Sequence, residues 1–327
     1  MPGAAPAAAA ARSWEGGVAT EPSVAVLVPC YNEAVSIAGV VREFRAALPR
    51  ATIYVYDNNS TDGTAERARE AGAEVRAERL QGKGHVVRRM FADVEADVYV
   101  LVDGDGTYRG EDAARLVRLL LAGRLDLVNG RRVTDLAAAY RPGHRLGNRM
   151  LTGLVRRIFG NRFADMLSGL KVFSRRYAKS FPGLSQGFEI ETELTIHALE
   201  LDMAVDEADI AYGERPSDSP SKLNTFQDGI RILRMIGRLV RIERPLAFFS
   251  CGFFLMAVLA LLLAAPLAVT YLETGLVPRL PTAVLATGLM LLAFLSLVCG
   301  LILETVTRGR QEAKRMVYLS IPAPPGP

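Results

Sequence analysis

The chain has 327 residues, half of them hydrophobic, and its 39 Lys and Arg against 35 Asp and Glu give a net charge of +4. A mean hydropathy of +0.18 with only 23% charged residues excludes a disordered chain and is too apolar for an ordinary soluble enzyme. The length suits one domain of about 200–250 residues plus something smaller, and the three cysteines form no CxxC or Cys/His cluster, which leaves a zinc site and a disulfide framework without support.

In chain order, residues 1–21 are Ala-rich with Pro and Gly and have no basic residue ahead of the Ala run, so they read as a disordered tail, not a signal peptide. From Val24 to about Tyr212, short apolar runs alternate with amphipathic stretches. Val24–Val28, Ile53–Tyr56, Val98–Val102 and Leu125–Val128 have the near-continuous hydrophobicity of strands buried on both faces of a parallel sheet. Val35–Leu48, Thr64–Ala71 and Ala113–Leu121 read as helices between them, the second with Asp62 as N-cap and Gly72 as stop. This predicts an α/β domain with a doubly wound sheet, whose ligands bind at the carboxyl ends of the strands.

The polar residues cluster at those ends. Pro29-Cys30-Tyr31-Asn32-Glu33 follows the first strand, Asp57-Asn58-Asn59-Ser60-Thr61-Asp62-Gly63-Thr64 the second, and Asp103-Gly104-Asp105-Gly106-Thr107-Tyr108 the run Val98–Val102. Asp103 and Asp105, separated and followed by Gly, can face one side of a turn and share a Mg²⁺ or Mn²⁺ ion with substrate phosphates. A solvated Asp-Gly turn without metal is the other reading of these two residues alone. An EF-hand is excluded because Thr107 and Ala114 stand where acidic ligands are required. Gln81-Gly82-Lys83-Gly84 lacks the rest of a Walker loop; Lys83 either reaches a diphosphate or sits on a solvated loop. His85, His144 and His197 show no triad or metal spacing.

Further on, Arg231, Arg234, Arg238 and Arg241 recur at helical steps among Ile, Leu, Met and Val, so residues 225–244 are expected to form a basic amphipathic helix on anionic lipid headgroups. Pro245–Leu272 and Leu280–Leu303 carry no charge, and each exceeds the roughly 20 residues needed to span a bilayer. Residues 245–305 therefore read as a transmembrane hairpin, and 306–327 as a basic tail. The basic flanks place both termini and the domain 22–224 on the cytosolic side of an integral membrane protein.

Taken together, the Pro29–Glu33, Asp57–Thr64, Gly82–Gly84 and Asp103–Asp105 motifs resemble, in order and spacing, the family 2 glycosyltransferases of GT-A fold. Within that family the chain is similar to the polyprenyl-phosphate glycosyltransferases, such as dolichyl-phosphate mannose synthase. The resemblance covers about Val24 to Leu246. It implies that Pro29, Tyr31, Glu33 and Asp57 hold the base and ribose of a nucleotide sugar, with Lys83 nearby. It also implies that Asp103 and Asp105 form the acid-x-acid motif, Asp105 being the main metal ligand. Ser168-Gly169 and Lys171-Val172-Phe173 resemble the segment beside the donor sugar, and Gly187-Phe188-Glu189-Ile190-Glu191 the start of the helix under the acceptor. The chain departs from the pattern at Gly104, where Ala is usual, and at Tyr108-Arg109, where many relatives have Pro-Pro; neither change removes a ligand.

The implied reaction is inverting transfer of one sugar from a nucleotide-diphosphate sugar, UDP favoured over GDP-mannose, to a polyprenyl phosphate. Cations must bind the acceptor phosphate, and Arg131, Arg132, Arg141, Arg145, Arg215 and Lys222 are candidates, the first two leading because they end a strand at the expected edge. An acceptor bearing a hydroxyl would instead need a base, Glu189 or Glu191; Glu189 and Glu193 stand one turn apart on a helix. A non-catalytic scaffold of the same fold is the third reading. The Gln-x-x-Arg-Trp motif of processive synthases is missing, since the one Trp is Trp14. No aromatic-rich basic patch suggests nucleic acid, and homo-oligomerisation stays open.

Overall fold

The computed structural model describes residues 21–133, 153, 162–187, 189–213, 237–238 and 240–324. The expected tail, with Trp14, and much of the amphipathic segment 225–244 lie outside the described residues.

Three of the predicted strands are present: β1 (Val24–Cys30), β2 (Thr52–Asp57) and β4 (Val98–Leu101), with β3 (Glu74–Ala77) beyond β2. All four pair in parallel. The fourth predicted strand is β5 (Leu127–Val133), which starts later and runs further than Leu125–Val128 and pairs in parallel with β7 (Val205–Ala211). Between β4 and β5 lies β6 (Lys171–Ser174), antiparallel to both. The sheet, ordered β3-β2-β1-β4-β6-β5-β7, is thus the expected doubly wound one, mixed in direction because β6 runs against its neighbours. Because β6 runs backwards, Lys171 opens it at the edge where the parallel strands end, opposite Leu101 and Asn129.

Helices cover both faces. In α1 (Ile37–Ala47) the residues Ile37, Val40, Val41 and Phe44 recur at three- and four-residue steps and are all buried, beside Leu116 and Leu120 of α4 (Gly110–Gly123). On the other face α3 (Lys83–Asp93), α5 (Arg175–Ser180) and α6 (Ile190–Glu200) bury Met90, Phe91, Tyr177 and Leu194 against Tyr99 and Phe173. Each such large apolar side chain contributes about 1.5–3 kcal/mol on burial. The short α2 (Thr64–Glu70) is capped by Gly63 in the left-handed region, φ 83°, in place of the expected Asp62. The Asp62 carboxylate instead ties two loops together, accepting from Thr64 N at 3.1 Å and from Ala34 N at 3.0 Å.

Two helices, α7 (Pro245–Thr274) and α8 (Leu280–Leu319), are long and apolar enough to cross a membrane. They pack antiparallel where small residues let the backbones approach: a β-carbon on Gly300 would lie 2.9 Å from Phe249 Cβ, and Ser296 Oγ donates to Phe249 O at 3.0 Å. The segment 306–327, expected as a basic tail, is helical as far as Leu319. The second apolar helix continues unbroken to Leu319 and turns its end onto the α/β domain.

Candidate active site

Three loops meet at the carboxyl edge. Asn58, just past β2, is buried and makes three hydrogen bonds into the next loop. Its Nδ2 donates to Glu78 O and Leu80 O, both at 2.8 Å, and its Oδ1 accepts from Gly82 N at 2.7 Å. That grip sets the start of α3 and hence Lys83. Gly82, at φ 132°, and Gly84 have no room for a side chain, because the backbone of Ser185 and Gln186 crosses directly over them. Gly84 N donates to Gln186 O at 3.1 Å, so the Gly-Lys-Gly motif is the floor for a crossing strand of backbone with the lysine projecting past it. Asp57 closes β2; its Oδ2 accepts from Ser60 N at 3.2 Å, while Oδ1 is buried with no hydrogen-bond donor among the described residues. A buried acceptor left this way is open to a donor from a ligand or a water.

The Asp103–Tyr108 loop is held from several sides. Asp105 is 4% exposed, and its Oδ1 accepts from both Thr107 N at 3.1 Å and Thr107 Oγ1 at 2.6 Å. Gly104 packs against the Cys30 side chain, and its carbonyl accepts from Ser36 Oγ at 2.7 Å. Asp103 lies against Gly169, where any β-carbon would collide with its carboxylate. Tyr108, buried, accepts from Gly169 N at 2.7 Å and meets Tyr212 edge-on at 5.5 Å. Asp103 and Asp105 thus offer hard oxygen donors on one turn, a set that fits a divalent cation completed by a substrate diphosphate and water. Among the described residues no third His, Cys, Asp or Glu joins them as a cluster.

Lys83 bridges two carboxylates. Its Nζ donates to Asp103 Oδ1 at 2.5 Å and to Glu191 Oε1, and Glu191 Oε2 lies 4.0 Å from Nζ of the fully buried Lys171. Lys171 in turn donates to Asn129 Oδ1 at 2.6 Å and Met166 O at 3.2 Å. Charges therefore alternate along Asp103, Lys83, Glu191 and Lys171. Burial opposes the charge on Lys83, but Asp103 and Glu191 outweigh it and hold the ammonium well above its ordinary range. Burial also pushes the Asp103 carboxyl up, with Asp105 and Glu191 adding and Lys83 opposing. Lys171 is pulled down by burial, against the attraction of Glu191.

Residues 25–181 match the model of Glycosyl transferase family 2. Glycosyltransferase AglJ of Haloferax volcanii is 34% identical over 310 residues, 92% of this chain and 99% of its own length. The chain belongs to glycosyl transferase family 2. A dolichyl-phosphate hexose transferase of the same organism is 28% identical across 68% of this chain and 95% of its own. Among solved structures, glucosyl-3-phosphoglycerate synthase of Mycobacterium tuberculosis in complex with Mn²⁺, UDP-glucose and phosphoglyceric acid is similar with a TM-score of 0.55. Its identity is 24% over 67% of this chain and 79% of that one, and it shares the GT-A fold.

Within this glycosyltransferase the other predicted site residues fall at varied distances from the lysine. Pro29 is the penultimate residue of β1, opposite Tyr56, Tyr31 is 40% exposed on the rim, and Glu33 N donates to Thr64 Oγ1 at 2.9 Å. Ser168 is a buried turn residue whose Oγ accepts from Leu170 N at 3.4 Å. Of the helix carboxylates, only Glu191 joins the cluster. Glu189 folds over Gly187 at the start of α6, and the Glu193 carboxylate accepts from Leu184 N at 2.8 Å and Ser185 N at 2.7 Å. Arg132 is buried in a two-pronged pair with Asp165, at 2.7 and 2.8 Å, under Tyr212. Arg131, on the opposite side of β5, pairs with Asp209 in solvent. Arg141, Arg145, Arg215 and Lys222 lie outside the described residues. Sequence reasoning missed Asn58 as the organiser of the Lys83 loop and Thr107 as the partner of Asp105; a polar residue inside each motif was the available signal.

Proposed function

We propose that this glycosyltransferase moves a single sugar from a nucleotide-diphosphate sugar, a UDP-sugar by preference, to a polyprenyl phosphate at the cytosolic face of a membrane, with inversion at the anomeric carbon. The observation that carries the choice of acceptor is the capture of Glu191. An acceptor hydroxyl needs a carboxylate base, yet Glu191 is bound by Lys83 and faced by Lys171, Glu193 holds backbone, and Glu189 lies over Gly187. A phosphate monoester needs no base. Its second pKa is about 6, so at neutral pH it is mostly a dianion and a competent nucleophile.

In this reading Asp57 Oδ1 receives a donor group of the nucleotide, and Pro29, Tyr31 and Glu33 frame the same pocket. Asp103 and Asp105 would hold a Mg²⁺ or Mn²⁺ ion, which when bound supplies Lewis-acid stabilisation of the departing diphosphate. Lys83 adds a fixed positive charge beside the leaving group. A lipid phosphate oxygen attacks the anomeric carbon, the bond to the β-phosphate oxygen breaks, and the nucleoside diphosphate leaves with the electron pair. Arg131 suits the acceptor phosphate better than Arg132, because a solvent-exposed pair is worth about 0–1 kcal/mol and exchanges easily, whereas the Arg132–Asp165 pair is buried. The named relatives support the reading: one is a dolichyl-phosphate hexose transferase, and one structural neighbour was crystallised with Mn²⁺ and UDP-glucose.

The test is transfer from radiolabelled UDP- and GDP-sugars to polyprenyl phosphate in membranes, with and without Mn²⁺. Metal-dependent labelling of an organic-soluble product is expected, reduced on the order of 100-fold or more in Asp105→Ala and keeping its pH profile in Glu191→Gln. Labelling of a diacylglycerol or glycan hydroxyl instead, abolished by Glu191→Gln, would overturn the phosphate acceptor.

A further inference from the structure

Helix α8 is 40 residues long, about 60 Å at 1.5 Å per residue and twice the thickness of a hydrocarbon core. Its uncharged run ends at Leu303, and residues 304–319 continue the same helix with charged residues throughout. Thr307, Arg310, Lys314 and Tyr318 recur at steps of three, four and four, which puts them on one face. Each of them meets the rest of the chain. Thr307 Oγ1 donates to Ile242 O at 3.1 Å, Arg310 Nη2 to Glu243 at 3.0 Å, Lys314 Nζ to Glu200 at 2.7 Å, and Tyr318 Oη to Asp126 at 2.9 Å.

These are not solvated surface pairs. The Asp126 side chain is fully buried and also accepts from Ser174 Oγ at 2.8 Å and from Arg176 through Nε and Nη2 at 2.5 and 2.8 Å, while the Arg176 guanidinium stacks 4.7 Å from the Tyr318 ring. The Glu200 side chain is 1% exposed. Asp126 precedes β5 and Ser174 closes the antiparallel β6, so the end of α8 grips the amino edge of the sheet, opposite the edge that carries Asp57, Lys83 and Asp103. Arg315, off the gripping face, reaches the exposed Asp202 at 3.8 Å.

We infer that residues 304–319 are a rigid strut that fixes the height and tilt of the catalytic domain over the bilayer, so that Arg310, Lys314 and Tyr318 are positioning residues for a membrane-embedded acceptor. The inference rests on the lipid-phosphate reading above. A phosphate at headgroup depth cannot leave the bilayer to find the site, so the site must be held at that depth. A second rigid connection, beyond the chain entering α7, does so without touching the reaction. Gripping the far edge also leaves the carboxyl edge open to both substrates.

The strut is tested with the full chain in nanodiscs, comparing wild type with Lys314→Met/Tyr318→Ala and with Tyr318→Phe. Two acceptors are used, a long-chain polyprenyl phosphate in the bilayer and a short-chain, water-dispersed prenyl phosphate. For the double variant, kcat/KM on the embedded acceptor is expected to fall 10-fold or more, with KM carrying most of the change, while the short acceptor stays within about twofold; Tyr318→Phe falls between. An equal loss on both acceptors, or a loss on neither, would overturn the strut. Domain height is read independently of any acceptor by single-molecule energy transfer from a dye on Glu70 to a headgroup dye. A distribution that broadens in the double variant supports the strut even if wild type labels neither lipid, which would refute the acceptor alone; an unchanged distribution overturns the strut.

Discussion

A β-carbon on residue 104 would lie 2.6 Å from Cys30 Sγ and 3.5 Å from Val28 Cγ1. The Gly between the two acidic residues is therefore explained by the residue that closes β1: Cys30 fills the space an Ala would take. Gly104→Ala is expected to cost about 1–3 kcal/mol by overpacking, and to weaken Mn²⁺ binding because the Asp103–Asp105 turn must shift. Adding Cys30→Ala removes the sulfur and should restore much of both. Melting temperature and Mn²⁺ titration of the two single variants and the double variant form a cycle whose coupling reads the contact directly. Additive costs would show that Gly104 answers to something other than Cys30.

At the level of elements, β5 presents successive side chains to opposite faces, which separates two arginines that look equivalent in sequence. Arg132 and Asp165 are 9% and 7% exposed, and removing one partner of such a pair costs about 3–5 kcal/mol. Burial raises the Asp165 carboxyl, but hydrogen bonds and charge from Arg132 override it and hold the group below its ordinary range. Arg131 and Asp209 are 45% and 55% exposed, and Arg131→Ala should cost under about 1 kcal/mol. Urea unfolding of the two alanine variants checks the ordering, and transfer assays should show Arg131→Ala weakening acceptor binding in a protein of normal stability. The same elements show what was legible in the sequence. Apolar runs gave away β1, β2 and β4; the polar motifs at the ends of β2 and β4 carry Asp57, Asp103 and Asp105, and the Gly-Lys-Gly motif after β3 carries Lys83. Residues 205–211 put three carboxylates among Val, Ala and Ile with no continuous apolar run, and the four-residue β6 opens on a buried lysine, so neither carries a strand signal. The Lys83–Glu191 bond joins residues 108 apart, a pairing that tertiary packing sets and local pattern does not.

At the scale of the whole molecule, the domain and the apolar helices are joined through a buried pair of acids. Glu200 of α6 and Glu243, just before α7, are both buried and both reached by Arg310 of α8, with Lys314 on Glu200. Two carboxylates cannot both be charged there without repulsion. Glu200, beside Lys314, keeps the charge. Burial and the neighbouring Glu200 push the Glu243 carboxyl up from 4.5 to about 8, so at neutral pH it keeps its proton. A group whose folded pKa is raised contributes stability that is complete below its unfolded value of 4.5 and disappears as pH rises through about 8. Glu200 is shifted the other way and is already ionised above pH 5 in both states, so it adds no slope in this window. Between pH 6.5 and 9 the melting temperature of the purified protein should therefore fall further in wild type than in Glu243→Gln, which keeps the size and polarity of the side chain without the titration. One kcal/mol corresponds to roughly 2–4 °C in a domain of this size. Equal slopes for the two proteins would mean that Glu243 is ionised throughout and that Arg310 and Lys314 alone hold the junction.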